Sequence, residues 1–212
     1  MLLSIIRQNQ KLAAKRNPAF DRNRFAKFLI YFMVAFWAAY LIFIGVMLSF
    51  AFEDIFPSME PYHIMNQGLI YLLILDFLLR FMLQPAMSQE IKPYLLMPIK
   101  KNKLVDTLLL QSGISSYNFF WFFLIVPFAL LTIIRFYEFT GILCYLCGIW
   151  LLMAMNSYWY LICKTLLNEK LLYILLPIGV YGLLAGTEFI PEGNPVSTFM
   201  MNLGEGFIEG NI

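Results

Sequence analysis

Long apolar runs free of charge recur along this 212-residue chain, and short segments between them gather the ionisable residues. The first run, Phe28 to Phe52, has 25 residues, more than the roughly 20 that cross a hydrocarbon core as an α-helix. A second covers 64–83 and is apolar apart from Asp76 and Arg80, and a third lies within the uncharged stretch Thr107 to Ile134, its span placed at 112–134. The fourth covers 139–163, and the fifth, 171–187, fades near Thr187. Apolar residues are continuous rather than alternating, so these runs predict helices and not barrel strands, and a bilayer admits no lipid-exposed unpaired backbone. The expected fold is all-α, a polytopic transmembrane bundle of about five spans. No internal repeat is visible.

Composition agrees with that reading. Apolar residues make up 61% of the chain and charged residues 13%, about half the charged share of a soluble domain. A chain this short cannot enclose so much apolar surface, so the excess must face lipid. Nucleic acid is not implied as a partner; membrane lipids are. Basic residues alternate from one connection to the next: seven in 1–27, none after the first span, four after the second (Lys92, Lys100, Lys101, Lys103), Arg135 alone after the third, Lys164 and Lys170 after the fourth, and none thereafter. The positive-inside rule then places the N-terminus and the connections around Lys100 and Lys170 in the cytoplasm. Glu53 to His63, Arg135 to Glu138 and the acidic segment 188–212 fall outside. The expected location is the plasma membrane, the inner membrane in a bacterium. Segment 1–27 has only a short apolar patch, Leu2 to Ile6, before its basic residues, so it is not a cleavable signal peptide. It reads either as an amphipathic helix in the headgroup layer or as a basic anchor that sets topology.

Few side chains at membrane depth carry chemistry. Asp76 and Arg80 are four residues apart on one helical face, and each unpaired charge near the bilayer centre costs about 2.5 to 3.5 kcal/mol. They form either a pathway or gating pair, or a local salt bridge with Arg80 snorkelling to the cytoplasmic surface. Gln111, Ser115 and Asn118, with Ser112 and Ser116, make the start of the third span polar; such residues line a pathway or, slightly preferred, pack helices together. The 28 residues from Thr107 to Ile134 would extend about 42 Å as one helix, so part must tilt, bend or project. Pro127 and Pro177 are candidate kinks. Cys144 and Cys147 form a Cys-x-x-Cys pair inside an apolar span with no further ligand nearby, so they read as packing residues, as does Cys163. His63, the sole histidine, stands in an acidic loop with Glu53, Asp54 and Glu60. Neither a metal site nor a cofactor is expected.

The segment 84–104 is the most informative connection. Tyr94, Leu95, Leu96 and Met97 form an apolar cluster, Pro98 breaks it, and Lys100, Lys101 and Lys103 lead back into the membrane. Tyr94-Leu-Leu-Met-Pro-Ile-Lys-Lys-Asn-Lys-Leu104 resembles the cytoplasmic loop of ABC-2-type transporter permeases, which carry paired leucines, a proline, an aliphatic residue and basic residues in that order between their second and third spans. The resemblance implies a coupling element at about Gln89 to Lys103, docked on an ATP-binding cassette subunit through Tyr94, Leu95, Leu96, Pro98, Lys100, Lys101 and Lys103. It further implies a second permease half, from a chain extension, a homodimer or a heterodimer. That family also opens with a cytoplasmic amphipathic helix and has an external re-entrant element before a sixth span. Here Val196, Phe199, Met200, Leu203, Phe207 and Ile208 form an apolar stripe that fits such a helix, and no sixth span follows, so the sequence reads as the N-terminal part of a longer protein or one completed from elsewhere.

The chain contains no Gly-x-x-x-x-Gly-Lys-[Ser/Thr] phosphate loop, so ATP hydrolysis would belong to a partner. Three classes of function remain: a permease subunit of an exporter, a noncatalytic membrane scaffold or assembly partner, and, with less support, an intramembrane enzyme. The last needs a nucleophile with a base, paired acids or a His-rich metal site, and only Asp76 and Arg80 are on offer. The chain is expected not to be an enzyme. Substrate and direction do not follow from these residues.

Overall fold

A computed structural model describes residues 8–9, 12, 24–84, 100–187 and 194–210, and among these every regular element is helical. In chain order they are α1 (Arg24–Ile55), α2 (Pro61–Gln67), α3 (Leu69–Leu83), α4 (Lys101–Gly113), α5 (Ser116–Phe120), α6 (Phe122–Thr132), α7 (Phe139–Glu169), α8 (Leu175–Gly186) and α9 (Pro195–Glu209), with 3-10 turns at Ile133–Arg135 and Leu171–Ile174. Two helices are long and apolar enough to cross a membrane, Lys27–Ile55 and Phe139–Glu169. Two bent pairs, α2 with α3 and α4–α5 with α6, bring the number to four if each pair is one span.

The expected second span bends by 48° at Gly68, where α2 ends and α3 begins without a gap in the backbone bonding, the Gly68 N–H reaching Ile64 O at 3.0 Å. The expected third span starts at Lys101 rather than 112 and is not one helix. The chain leaves helical geometry at Ser115 (ψ 144°), restarts as α5, and kinks again at Trp121, for a 62° bend. Bending solves the length problem posed by 28 uncharged residues. Pro127 lies inside α6, whereas Pro177 falls in the first turn of α8, where a missing N–H costs least. The expected fifth span is therefore a 3-10 turn followed by a short helix. At 1.5 Å per residue, Leu171–Gly186 reaches only about 24 Å, short of a hydrocarbon core of about 30 Å.

The core lies between α1, α3, α6 and α7, with Ile125, Phe128, Ala129, Ile133, Tyr145 and Ile149 fully shielded. Gly45 lets α1 press its backbone onto α6: a Cβ there would collide with the Leu124 carbonyl oxygen and meet Pro127 Cγ at 3.0 Å. Towards its N-terminus α1 stands free of the bundle, with Phe28, Phe32, Phe36 and Tyr40 stacked ring on ring along an exposed face. Such a face suits contact with lipid tails.

Local chemistry sets α9. Asn194 caps it, its Oδ1 accepting from Val196 N at 3.1 Å and Ser197 N at 3.2 Å, Pro195 occupies the first turn, and Gly210 closes it with φ 79°. Phe207 lies over Gly148 and Gly204 lies against the Asn66 amide, so tightly that neither glycine has room for a side chain. These contacts seat α9 on α2 and the first turns of α7.

Charges separate along the bundle. Glu53 and Asp54 end α1, Glu60 precedes α2, Glu138 precedes α7, and α9 adds Glu205 and Glu209. Lys27 near the start of α1, Lys100 before α4, and Lys164 and Lys170 at the end of α7 mark the opposite end.

Candidate functional site: a buried polar network at the broken helix

Asp76 lies in the middle of α3, 3% exposed, and Arg80 one turn later is fully buried. Arg80 Nε donates to Asp76 Oδ2 at 2.7 Å. Two further donors saturate the carboxylate: Asn156 Nδ2 from α7 reaches Oδ2 at 2.7 Å, and Trp121 Nε1, from the kink between α5 and α6, reaches Oδ1 at 2.8 Å. Burial makes each of these bonds matter, because an uncompensated ion in an apolar interior costs several kcal/mol. The expected salt bridge is therefore present, but Arg80 does not snorkel. Its guanidinium turns inward, where Nη2 donates to Asn118 Oδ1 at 2.8 Å, its charge is matched by Asp76, and Nη1 is buried without a hydrogen-bond partner among the described residues.

Asn118 connects this ion pair to the break in the helix. Ending α4 at Gly113 strips carbonyls of their helical partners, and Asn118 Nδ2 donates to Ser112 O at 3.1 Å and to Gly113 O. One amide thus holds the broken turn with its nitrogen and the buried arginine with its oxygen. Ser112 Oγ pairs with Ser157 Oγ of α7 at 2.7 Å, and Gly113 leaves space for the Tyr158 hydroxyl, which would stand 2.7 Å from a Cβ there. Further along α7, Tyr160 donates to Gln84 O at 2.6 Å and Lys164 Nζ to Phe81 O at 3.0 Å, tying the end of α3. From α8, Tyr181 donates to Asn156 Oδ1 at 2.6 Å, extending the network to a fourth segment.

Of the side chains singled out from sequence, Asp76, Arg80 and Asn118 come together. Ser115 stands at the break, half-buried, its carbonyl accepting from Asn118 N at 3.0 Å, and Gln111 is half-buried one turn before. Ser112 and Asn118 join helix to helix, while Ser116 is exposed. Lys100 and Lys103 are exposed at the head of α4. Lys101 opens α4, but its side chain lies outside the described residues, as do Tyr94, Leu95, Leu96 and Pro98. Trp121, Asn156, Ser157 and Tyr181 were not singled out. Asn156-Ser157 had a signal, a polar doublet inside an apolar run, whereas Trp121 and Tyr181 look like ordinary membrane aromatics until their polar atoms are placed.

Cys144, Cys147 and Cys163 are all free thiols, half-buried, exposed and buried in turn. Among the described residues no three His, Cys, Asp or Glu side chains converge as metal ligands. The network thus has charge, hydrogen bonds and a mechanical break, but no described nucleophile with a base and no described metal centre. No curated protein and no solved structure matches the chain. A family model described as a family of unknown function (DUF5687) matches residues 10–212, and the chain belongs to that family.

Proposed function

We propose that this chain is the membrane-spanning permease subunit of an ABC-type exporter, with five spans, its N-terminus in the cytoplasm of the plasma membrane, and ATP hydrolysis supplied by a separate cassette subunit. The alternation of basic connections and the Leu95-Leu96-x-Pro98-Ile99-Lys100-Lys101 pattern favour it, and so does the separation of basic and acidic ends along the bundle. The observation that carries it is mechanical. The helix that follows the loop, α4, ends at a break whose freed carbonyls are held by Asn118, the side chain that also holds the buried Arg80. A push on 84–104 would travel along α4 to that break and pull on the Asp76–Arg80 pair. Coupling of that kind needs an element with two discrete arrangements, and a helix broken at Ile114–Ser115 is the natural place for one.

Co-purification tests the proposal. The chain should retain an ATP-binding cassette subunit encoded beside it, and joint replacement of Leu95, Leu96 and Lys100 should release that subunit while leaving the bundle folded. A stable complex indifferent to those replacements removes the mechanism. The saturation of Asp76 by three donors favours a second reading, a noncatalytic membrane scaffold in which the network is a staple. A folded variant with the ion pair neutralised separates the two: an exporter loses transport, a scaffold keeps its assembly.

A further inference from the structure

We propose that His63 is a proton-operated latch that fixes α9 on α2. His63 is the one histidine of the chain, and its ring stands between two carboxylates from different segments. Nε2 lies 3.3 Å from Glu60 Oε2, just before α2, and Nδ1 lies 2.7 Å from Glu205 Oε1 on α9. The Nδ1 contact is within ion-pair range though off the line of a straight N–H···O bond. The two acids sit on opposite sides of the ring and do not converge as metal ligands would. The other ionisable groups on this face are Tyr62, whose ring centroid is 4.2 Å from the imidazole, and Tyr137 from the turn before α7, which hydrogen-bonds Tyr62. Arg135, the other cation of this end, is engaged with Glu53.

Elementary chemistry makes that arrangement depend on a proton. A neutral imidazole offers one N–H and one lone pair, so between two carboxylates it must point its lone pair at one of them. An imidazolium donates to both. The surroundings amplify the difference, because Glu53, Asp54, Glu60, Glu138, Glu205 and Glu209 gather at this end against Arg135, and like charges on α9 and its seat repel when no proton intervenes. Across the α2–α9 seam Gln67 Nε2 makes a weak contact with Met201 Sδ at 3.4 Å and Gly204 packs against the Asn66 amide, while Phe207 over Gly148 ties α9 to α7. The sign follows: the protonated ring closes the latch, and loss of that proton releases the contact with Glu205. In the proposed orientation this end faces outward, so α9 responds to external pH.

The test uses the full chain in lipid nanodiscs. Imidazole NMR follows the single histidine while amide exchange, corrected for its intrinsic pH dependence, follows α9 and α7 separately. Over a pH titration, protection of α9 should fall about tenfold in step with the imidazole signal, with α7 unchanged. His63→Gln should abolish the step. If His63→Gln disturbs α7 as well, Glu205→Gln decides, since it keeps shape and removes only the charge. An α9 whose protection ignores pH in the unmodified chain, or a step that survives Glu205→Gln with α7 intact, overturns the proposal.

Discussion

Replacing Arg80 by Met removes a fully buried guanidinium and keeps most of its volume. It strands the Asp76 carboxylate, 3% exposed, with two neutral donors and no counter-charge. Breaking one side of a buried pair costs about 3 to 5 kcal/mol. For a chain of this length each kcal/mol moves the midpoint by about 2 to 4 °C, so the midpoint should drop by about 6 to 20 °C. Adding Asp76→Asn to that variant removes the stranded charge and leaves an amide oxygen for Trp121 Nε1. The double variant should therefore recover at least about 2 kcal/mol relative to Arg80→Met. Recovery of that size exceeds the average of about 0.6 kcal/mol for neutral bonds between membrane helices, so it would identify charge compensation rather than ordinary hydrogen bonding. Thermal unfolding of the unmodified chain and both variants in one detergent gives the numbers. A midpoint for Arg80→Met within about 2 °C of the unmodified chain, or a double variant no better than the single, refutes the account of a buried, matched pair.

Gly148→Leu should unseat α9 by filling the space that Phe207 occupies, at about 1 to 3 kcal/mol, and Phe207→Ala added to it should restore the midpoint in part; unfolding curves report both. Gly45→Val should split α1 from α6 at a similar cost, read from thermal unfolding and from increased cross-section in native mass spectrometry. Trp121→Phe keeps an aromatic ring and removes one donor to a buried carboxylate, so it should cost about 1.5 to 3 kcal/mol, read from thermal unfolding. A cysteine at Lys101 should react with an impermeant thiol reagent only from the cytoplasmic side; reaction from the other side would reverse the proposed topology.

Helices were legible from sequence because burial in lipid demands long uncharged runs, and Phe28 to Phe52 and Phe139 to Cys163 fall inside α1 and α7. The Asn194-Pro195 start of α9 and its Gly210 stop could be read from local capping chemistry as well. Breaks were not legible to the same degree. At the first break Gly113 and the N-cap Ser115 give a weak local signal, and at Trp121 there is neither Pro nor Gly. What favours the break is tertiary: carbonyls released at Ser112 and Gly113 find Asn118, and Asn118 finds Arg80, 38 positions earlier in the chain. Hydropathy sees only an uncharged stretch.

That same fact governs how the network should be read. A saturated buried salt bridge within one helix would be a local device, since Asp76 and Arg80 can satisfy each other at four-residue spacing wherever α3 happens to pack. Asn118 changes its meaning, because the residue that accepts from Arg80 Nη2 is also the residue that bonds the carbonyls at the interruption of the helix. Straightening or further opening the break must therefore either release Arg80 or carry it along, and Asp76 is held at the same time by α7 through Asn156 and by the α5–α6 kink through Trp121. A change at α4 cannot stay within α4. The basic head of α4 and the buried charges are joined through hydrogen bonds, and Asn118 is the residue through which a force on either would reach the other.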